Sequence, residues 1–183
     1  MTAPRLKGLH HVKLPVSDLD TSLTWYRRVF DAEHLSQFDH YDGAGARYAV
    51  ILRLPGIDIP IELRWAPDAA TATAGYDPVS FVADDMQAWS DHLDAVGIEH
   101  SPVITALAGQ LLIFRDPDQT FLRLLTLPEG GIQAIEMNRD AAEPEGPWIA
   151  PDIMKHPETS TGDDVKRHRT TTRHVRHSFL VMR

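Results

Sequence analysis

The chain has 183 residues, with 18 Lys+Arg against 26 Asp+Glu, a net charge of −8, 43% hydrophobic and 24% charged residues; this is a globular composition, long enough for one ordinary domain or two small ones. Cysteine is absent, which excludes disulfides, thiol nucleophiles and thiolate metal sites and leaves His, Asp and Glu as the strong metal-binding side chains. Residues 1–130 hold 10 basic and 18 acidic side chains, an acidic body that argues against nucleic acid; with no signal-type N-terminus and no apolar run near the roughly 20 residues that span a bilayer, a cytoplasmic protein without membrane contact is expected.

In chain order, "HVKLPV" alternates as a strand. "SDLDTSLTWYRRVF" follows with Leu19, Leu23, Tyr26 and Phe30 at helical spacing behind Ser17 or Asp18 as the cap. Strand-like runs come next at "EHLSQFDHY", at "RYAVILRL" after the Gly-rich "DGAGA", and at "IPIELRWA" beyond the turn "PGID". Residues 8–67 thus read β-α-β-β-β. The segment 68–77, "DAATATAGYD", is small, polar and punctuated, as a linker is. From residue 78 to 128 the order begins again: a strand in "VSFVA", a helix in "DDMQAWSDHLDAVG" with Met86, Trp89, Leu93 and Val96 on one face, then "EHSPVITAL", "GQLLIFRD" and, after the turn in "RDPDQ", "TFLRLLTL".

The two halves align with each other. "HVKLPVSDLD" lies over "PVSFVADDMQ", "AEH" at 32–34 over "IEH" at 98–100, and "IELRW" at 61–65 over "LRLLT" at 122–126. The expected fold is α+β: two tandem βαβββ modules forming a curved mixed sheet around a cleft, with an irregular C-terminal extension over 129–183.

Strand parity proposes the cleft residues. Val12, Leu14 and Val16 make an apolar stripe, so His11, Lys13 and Pro15 face the other way and His10 joins the buried stripe. Ile61, Leu63 and Trp65 make the matching stripe, which sends Glu62 and Arg64 to the cleft. Phe121 shares the face of Arg123 and is placed to line the cleft; Trp65 and Trp89 fall with core stripes, and parity leaves Trp25 unplaced.

The repeat, the opening "HVKLPVSDLDTSLTWYRRVF" and the closing "FRDPDQTFLRLL" resemble the vicinal oxygen chelate superfamily, which includes glyoxalase I, extradiol dioxygenases, and fosfomycin- and bleomycin-resistance proteins. The resemblance covers residues 8–128 and implies a homodimer and a small-molecule ligand or substrate. It places metal ligands at His11 and Glu62, with the rest of the set at the equivalent positions of the second half. Those positions hold Pro78, which has no donor atom, and Arg123, which stays protonated.

Two readings of the cleft follow. In the first, no cofactor is required: Arg123 replaces the metal by pairing with Glu62, and the site serves proton transfer of isomerase, epimerase or lyase type on a small oxygenated, anionic molecule. His11, Glu62 and Lys13 are then the catalytic candidates, and Arg64, Arg123, Phe121 and Ser80 contact the substrate. In the second, His11 and Glu62 hold a weakly bound divalent metal completed by water, substrate, His40 or His100, for a metal-dependent lyase or dioxygenase. A third possibility is a non-catalytic protein that sequesters a drug or metabolite. The end of the chain, "VKRHRTTTRHVRHSFLVMR", carries 6 Lys+Arg and no acid. It reads as a solvated tail, with His168, His174 or His177 as a remote source of a further ligand.

Overall fold

The computed structural model of the chain describes residues 3–106, 108–136, 138 and 140–148. The first module contains β1 (Val12–Val16), α1 (Leu19–Phe30), β2 (Glu33–His34), β3 (His40–Tyr41), β4 (Arg47–Arg53) and β5 (Ile61–Trp65). After α2 (Pro67–Thr73), the second contains β6 (Val79–Val82), α3 (Met86–Ala95), β7 (Ile104–Ala106), β8 (Gly109–Arg115) and β9 (Phe121–Leu125). The strands form two mixed sheets, ordered β1-β5-β4-β2 with β3 beside β4, and β6-β9-β8-β7.

The repeat is exact in register. In the first sheet Val12 pairs with Ile61 and Lys13 with Glu62; in the second Val79 pairs with Leu122 and Ser80 with Arg123, both ladders parallel. The caps repeat too. Asp18 starts α1 by accepting from the Thr21 N–H at 2.6 Å, and Asp85 starts α3 by accepting from the Ala88 N–H at 2.9 Å. Each satisfies a backbone donor that a helix start otherwise leaves without a partner.

One core joins the halves. Leu14, Val16, Val50, Leu52, Ile61 and Leu63 of the first sheet, Phe81, Leu112, Phe114, Leu122 and Leu124 of the second, and the buried sides of α1 and α3 belong to a single cluster. Phe30 of α1 is its pivot, with ring centroids 5.4 Å from Phe81, 5.8 Å from Trp89 and 5.9 Å from Phe114. Trp25 belongs here, stacked on Phe114. Each such side chain contributes roughly 1.5–3 kcal/mol by leaving water. A polar clasp closes the same seam: Asp116, in the turn between β8 and β9, accepts from Tyr26 Oη at 3.2 Å, and Asp118 accepts from the Ser17 N–H at 3.1 Å.

Three sequence expectations meet a different local structure. The run 33–41 is two short strands around a 3-10 turn, Ser36–Phe38, because the buried Asp39 carboxylate draws His34, Arg47 and the Ile51 N–H onto itself. The described residues of the run 99–107 form β7 and an isolated bridge at His100, and Pro102 between them has no N–H to give a ladder. Segment 68–77 contains most of α2, where Pro67 sits in the first turn and alanines favour helix.

Candidate functional site

The face of the first sheet turned away from the core is built around Glu62. Its neighbours across the β1–β5 ladder are Lys13 and, one step on, Pro15 beside Arg64. Glu62 is 1% exposed, yet four basic side chains surround its carboxylate. Arg64 reaches Oε1 through Nε at 2.7 Å and Nη2 at 2.6 Å. His11 Nε2 lies 3.2 Å and Lys13 Nζ 3.6 Å from Oε2, while His40 Nδ1 lies 4.0 Å from Oε1. A carboxylate taken out of water needs this compensation, because a buried charge without partners costs several kcal/mol.

Two further rings complete the cluster. The Arg64 guanidinium lies 4.6 Å from the centroid of Tyr48, whose ring is 5.7 Å from that of His40. A register shift between β3 and β4 puts His40 opposite Ala49 and Tyr41 opposite Arg47, so Tyr48 is the extra residue of a bulge. Sequence parity gave no sign of Tyr48, because a one-residue bulge leaves no periodic trace. His10 Nδ1 lies 2.8 Å from His11 Nδ1, so the row runs carboxylate, imidazole, imidazole. If His11 donates Nε2–H to Glu62, its neutral form accepts at Nδ1 from His10.

His10 itself corrects an expectation. It is exposed rather than in the core, because β1 begins at Val12 and strand parity ends with the strand. Trp65 is likewise 56% exposed at the last position of β5 instead of packed in the core stripe, whereas Trp89 does pack against the core.

The second sheet's equivalent face holds Ser80, Arg123 and Phe121, and the structure does not bring them to Glu62. Arg123 Nε lies 2.7 Å from Asp77 Oδ2 instead, a close ion pair whose N–H is not aligned as a hydrogen bond. Phe121 is 1% exposed and is covered. Trp148, from the C-terminal extension, packs with Ile104, Leu111, Ile113 and Phe121 over this face. The Arg115 guanidinium sits 4.7 Å from the Phe121 ring and 5.4 Å from the Trp148 ring. Ser80 is exposed in register with Arg123, and Pro78 precedes β6.

Of the other histidines considered, His100 is remote from Glu62 in the ladder, bridging Phe114 and lying 3.3 Å from Asp94. His168, His174 and His177 lie outside the described residues. A cavity of about 550 Å³ lies elsewhere, between α1 and α3 around Phe30, Pro55, Trp89 and His92, and contains none of the predicted site residues. Among the described residues no helix is long and apolar enough to cross a membrane.

No curated protein matches the sequence. Solved structures do match it. TnmS3, an antibiotic binding protein from Streptomyces sp. CB03234, is 21% identical, with a TM-score of 0.57 over 69% of this chain and 100% of its own. A glyoxylase/bleomycin resistance protein/dioxygenase domain from Frankia sp. EAN1pec is 27% identical, with a TM-score of 0.55 over 69% and 96%. The fosfomycin resistance protein FosX from Listeria monocytogenes, in a complex with Mn(II) and a dihydroxypropylphosphonic acid, is 19% identical, with a TM-score of 0.53 over 68% and 93%. The family model described as Glyoxalase/Bleomycin resistance protein/Dioxygenase superfamily matches residues 8–124, from before β1 into β9, and the chain belongs to that superfamily.

Proposed function

We propose that the outer face of the first sheet binds a small anionic, oxygen-rich molecule and moves a proton on it through His11. The observation that carries this reading is the Glu62 cluster: one buried carboxylate facing Lys13, Arg64 and His11. One negative charge cannot neutralise two permanent cations and an imidazole, so the face keeps an excess of donors for ligand oxygens. Glu62 is not the free base, because Arg64 already holds Oε1 with two nitrogens. His11 is the side chain that can exchange a proton. His10 is exposed and can turn away from His11 Nδ1; taking a proton from a carbon acid at that nitrogen makes His11 an imidazolium, which Glu62 stabilises while Lys13 and Arg64 face the developing enolate oxygen. The reaction class is isomerisation, epimerisation or lyase chemistry, and the second copy in the expected homodimer is part of the same proposal.

A divalent ion fits the residues poorly. Glu62 is saturated by cations that an added metal would have to displace, and the repeat offers Pro78 and Arg123 at the remaining ligand positions. Among the described residues no group of three or more His, Asp or Glu is placed to hold one. We assign no step to a metal.

A second reading rests on the same Arg64–Glu62 pairing: a carboxylate pinned in this way serves a site that only holds its ligand. The likeness to an antibiotic binding protein supports it at the level of the fold. One experiment separates the two. A panel of small organic anions is screened by thermal shift on the wild-type chain, Lys13→Ala and Arg64→Ala, and each hit is followed by NMR in D2O. Proton transfer predicts a stabilising anion whose effect falls in both variants and whose carbon-bound proton exchanges for deuterium, with exchange lost in His11→Asn while binding persists. A hit that never exchanges assigns the sequestering role, and an anion panel that stabilises nothing overturns both.

A further inference from the structure

We propose that the cavity between α1 and α3 is a second ligand site, and that it takes a hydrophobic organic cation, an aromatic body carrying an ammonium group. The site is bounded by helix ends and a turn, not by either sheet face: the last turn of α1, Pro55 in the turn between β4 and β5, and the start of α3. Its volume of about 550 Å³ is that of a small-molecule pocket. Phe30, Trp89 and His92 form an aromatic wall, with the centroid of the Trp89 ring 5.8 Å from that of Phe30 and 5.6 Å from that of His92. Asp31, Asp84 and Asp85 stand on the same lining, and among the described residues no Lys or Arg does. Ring faces carry the negative part of the aromatic quadrupole, so wall and carboxylates favour the same sign of charge.

The backbone adds to that preference. α1 ends at the cavity, and the C-terminal end of a helix is its negative pole. Arg27 and Arg28 lie in that last turn, but neither lines the cavity. His92 Nε2 donates to the Val29 carbonyl at 2.9 Å, which leaves Nδ1 of the neutral ring as an acceptor. The adjoining cavity, which shares Asp31 and Pro55, continues the field. It adds Glu33 and Asp58, and its one basic side chain, Arg53, is bound to Glu33. A bare metal ion would leave the rings unused, and a neutral aromatic would leave the carboxylates unused. An aryl ammonium uses both.

The test uses the full chain and naphthylmethyl-trimethylammonium, whose charge is fixed at every pH. Calorimetry is expected to show it binding about tenfold more tightly than the neutral naphthylmethanol, of similar shape. The Trp89 indole N–H resonance, identified by its absence from Trp89→Phe, is expected to shift with the cation and to stay in place with the anion naphthylacetate. The double variant Asp31→Asn with Asp84→Asn should weaken the cation about fivefold or more and leave naphthylmethanol unchanged. Both side chains are exposed, and asparagine suits the left-handed backbone of Asp31, φ 51°, so this variant keeps its fold. Asp68→Asn with Glu129→Gln removes two exposed charges that do not line the cavity and is expected to leave the affinity at the wild-type level. Equal binding of cation and alcohol, a Trp89 resonance that the cation leaves fixed, or a loss no greater in the first double variant than in the second overturns the proposal, as does a cation that does not bind. The probe is a cation and the Glu62 face is proposed to take an anion, so this outcome is independent of that one.

Discussion

The two half-sheets share one register and differ in nearly everything they present outward. Position for position, Lys13 becomes Ser80 and Glu62 becomes Arg123, while Val12 and Ile61 become Val79 and Leu122. The inward positions stay apolar because both halves bury them in one core, so a change there is felt as lost packing. The outward positions are released from that constraint. One half has kept a buried acid under basic groups, and the other has become an apolar shelf that its own Trp148 covers. Duplication has thus preserved the scaffold and allowed two unlike surfaces, which is how a fold carries several chemistries.

The shared core is the first thing to break. Phe30 touches rings from both modules and α3, so Phe30→Ala is expected to cost about 3–5 kcal/mol, the range for truncating a buried aromatic. The halves should fail together. Urea unfolding followed by far-UV circular dichroism and by tryptophan fluorescence is predicted to give coincident, shifted transitions, and two separated transitions would show that each module has a core of its own.

The polar clasp between the halves responds to pH. Burial pushes the Asp116 carboxyl from its ordinary 3.8 up to about 6, against the backbone N–H of Thr120, which pulls it down. The same burial, with Asp116 beside it, raises Tyr26 well above its usual value. Between 3.8 and about 6 the folded state binds more protons at this group than the unfolded state does, so its contribution to stability is largest at low pH and falls as pH rises through that window. The loss is at most about 3 kcal/mol. Urea midpoints of the wild type and Asp116→Asn, compared across the window, should differ in slope; parallel curves would remove the clasp from the account.

Much of this was readable in the chain because it is local or periodic. Asp18 and Asp85 announce two helix starts, and alternation along "HVKLPV" and "IELRW" puts Lys13, Glu62 and Arg64 on one face. The rest depends on where periodicity stops. His10 left the core because the strand begins two residues after it, and Trp65 because β5 ends with it. Tyr48 enters through a bulge, Arg123 finds Asp77 instead of Glu62, and Trp148 arrives from a Pro-rich stretch with no pattern to place it. Each is a contact between residues whose spacing in sequence carries no mark of it.

The finest contrast is between the equivalent charges, Glu62 and Arg123. Glu62 is buried and its carboxylate is the common partner of Arg64, Lys13 and His11, so Glu62→Gln removes charge from several bonds at once and strands cations against a neutral amide. A cost of about 1–3 kcal/mol is expected, the scale of charge-assisted bonds, moderated because Lys13 and Arg64 retain access to water. Arg123 and Asp77 are each 25% exposed and bind only each other among the described ion pairs, so Arg123→Gln should cost less than about 1 kcal/mol. Chemical denaturation at neutral pH orders the two. The double change Glu62→Gln with Arg64→Gln should recover part of the single loss, because it removes the cation left without a partner. If instead Arg123→Gln proves the more costly, the second face is held by its ion pair and not by the Trp148 cluster, and the division of the molecule into a charged face and an apolar one would have to be redrawn.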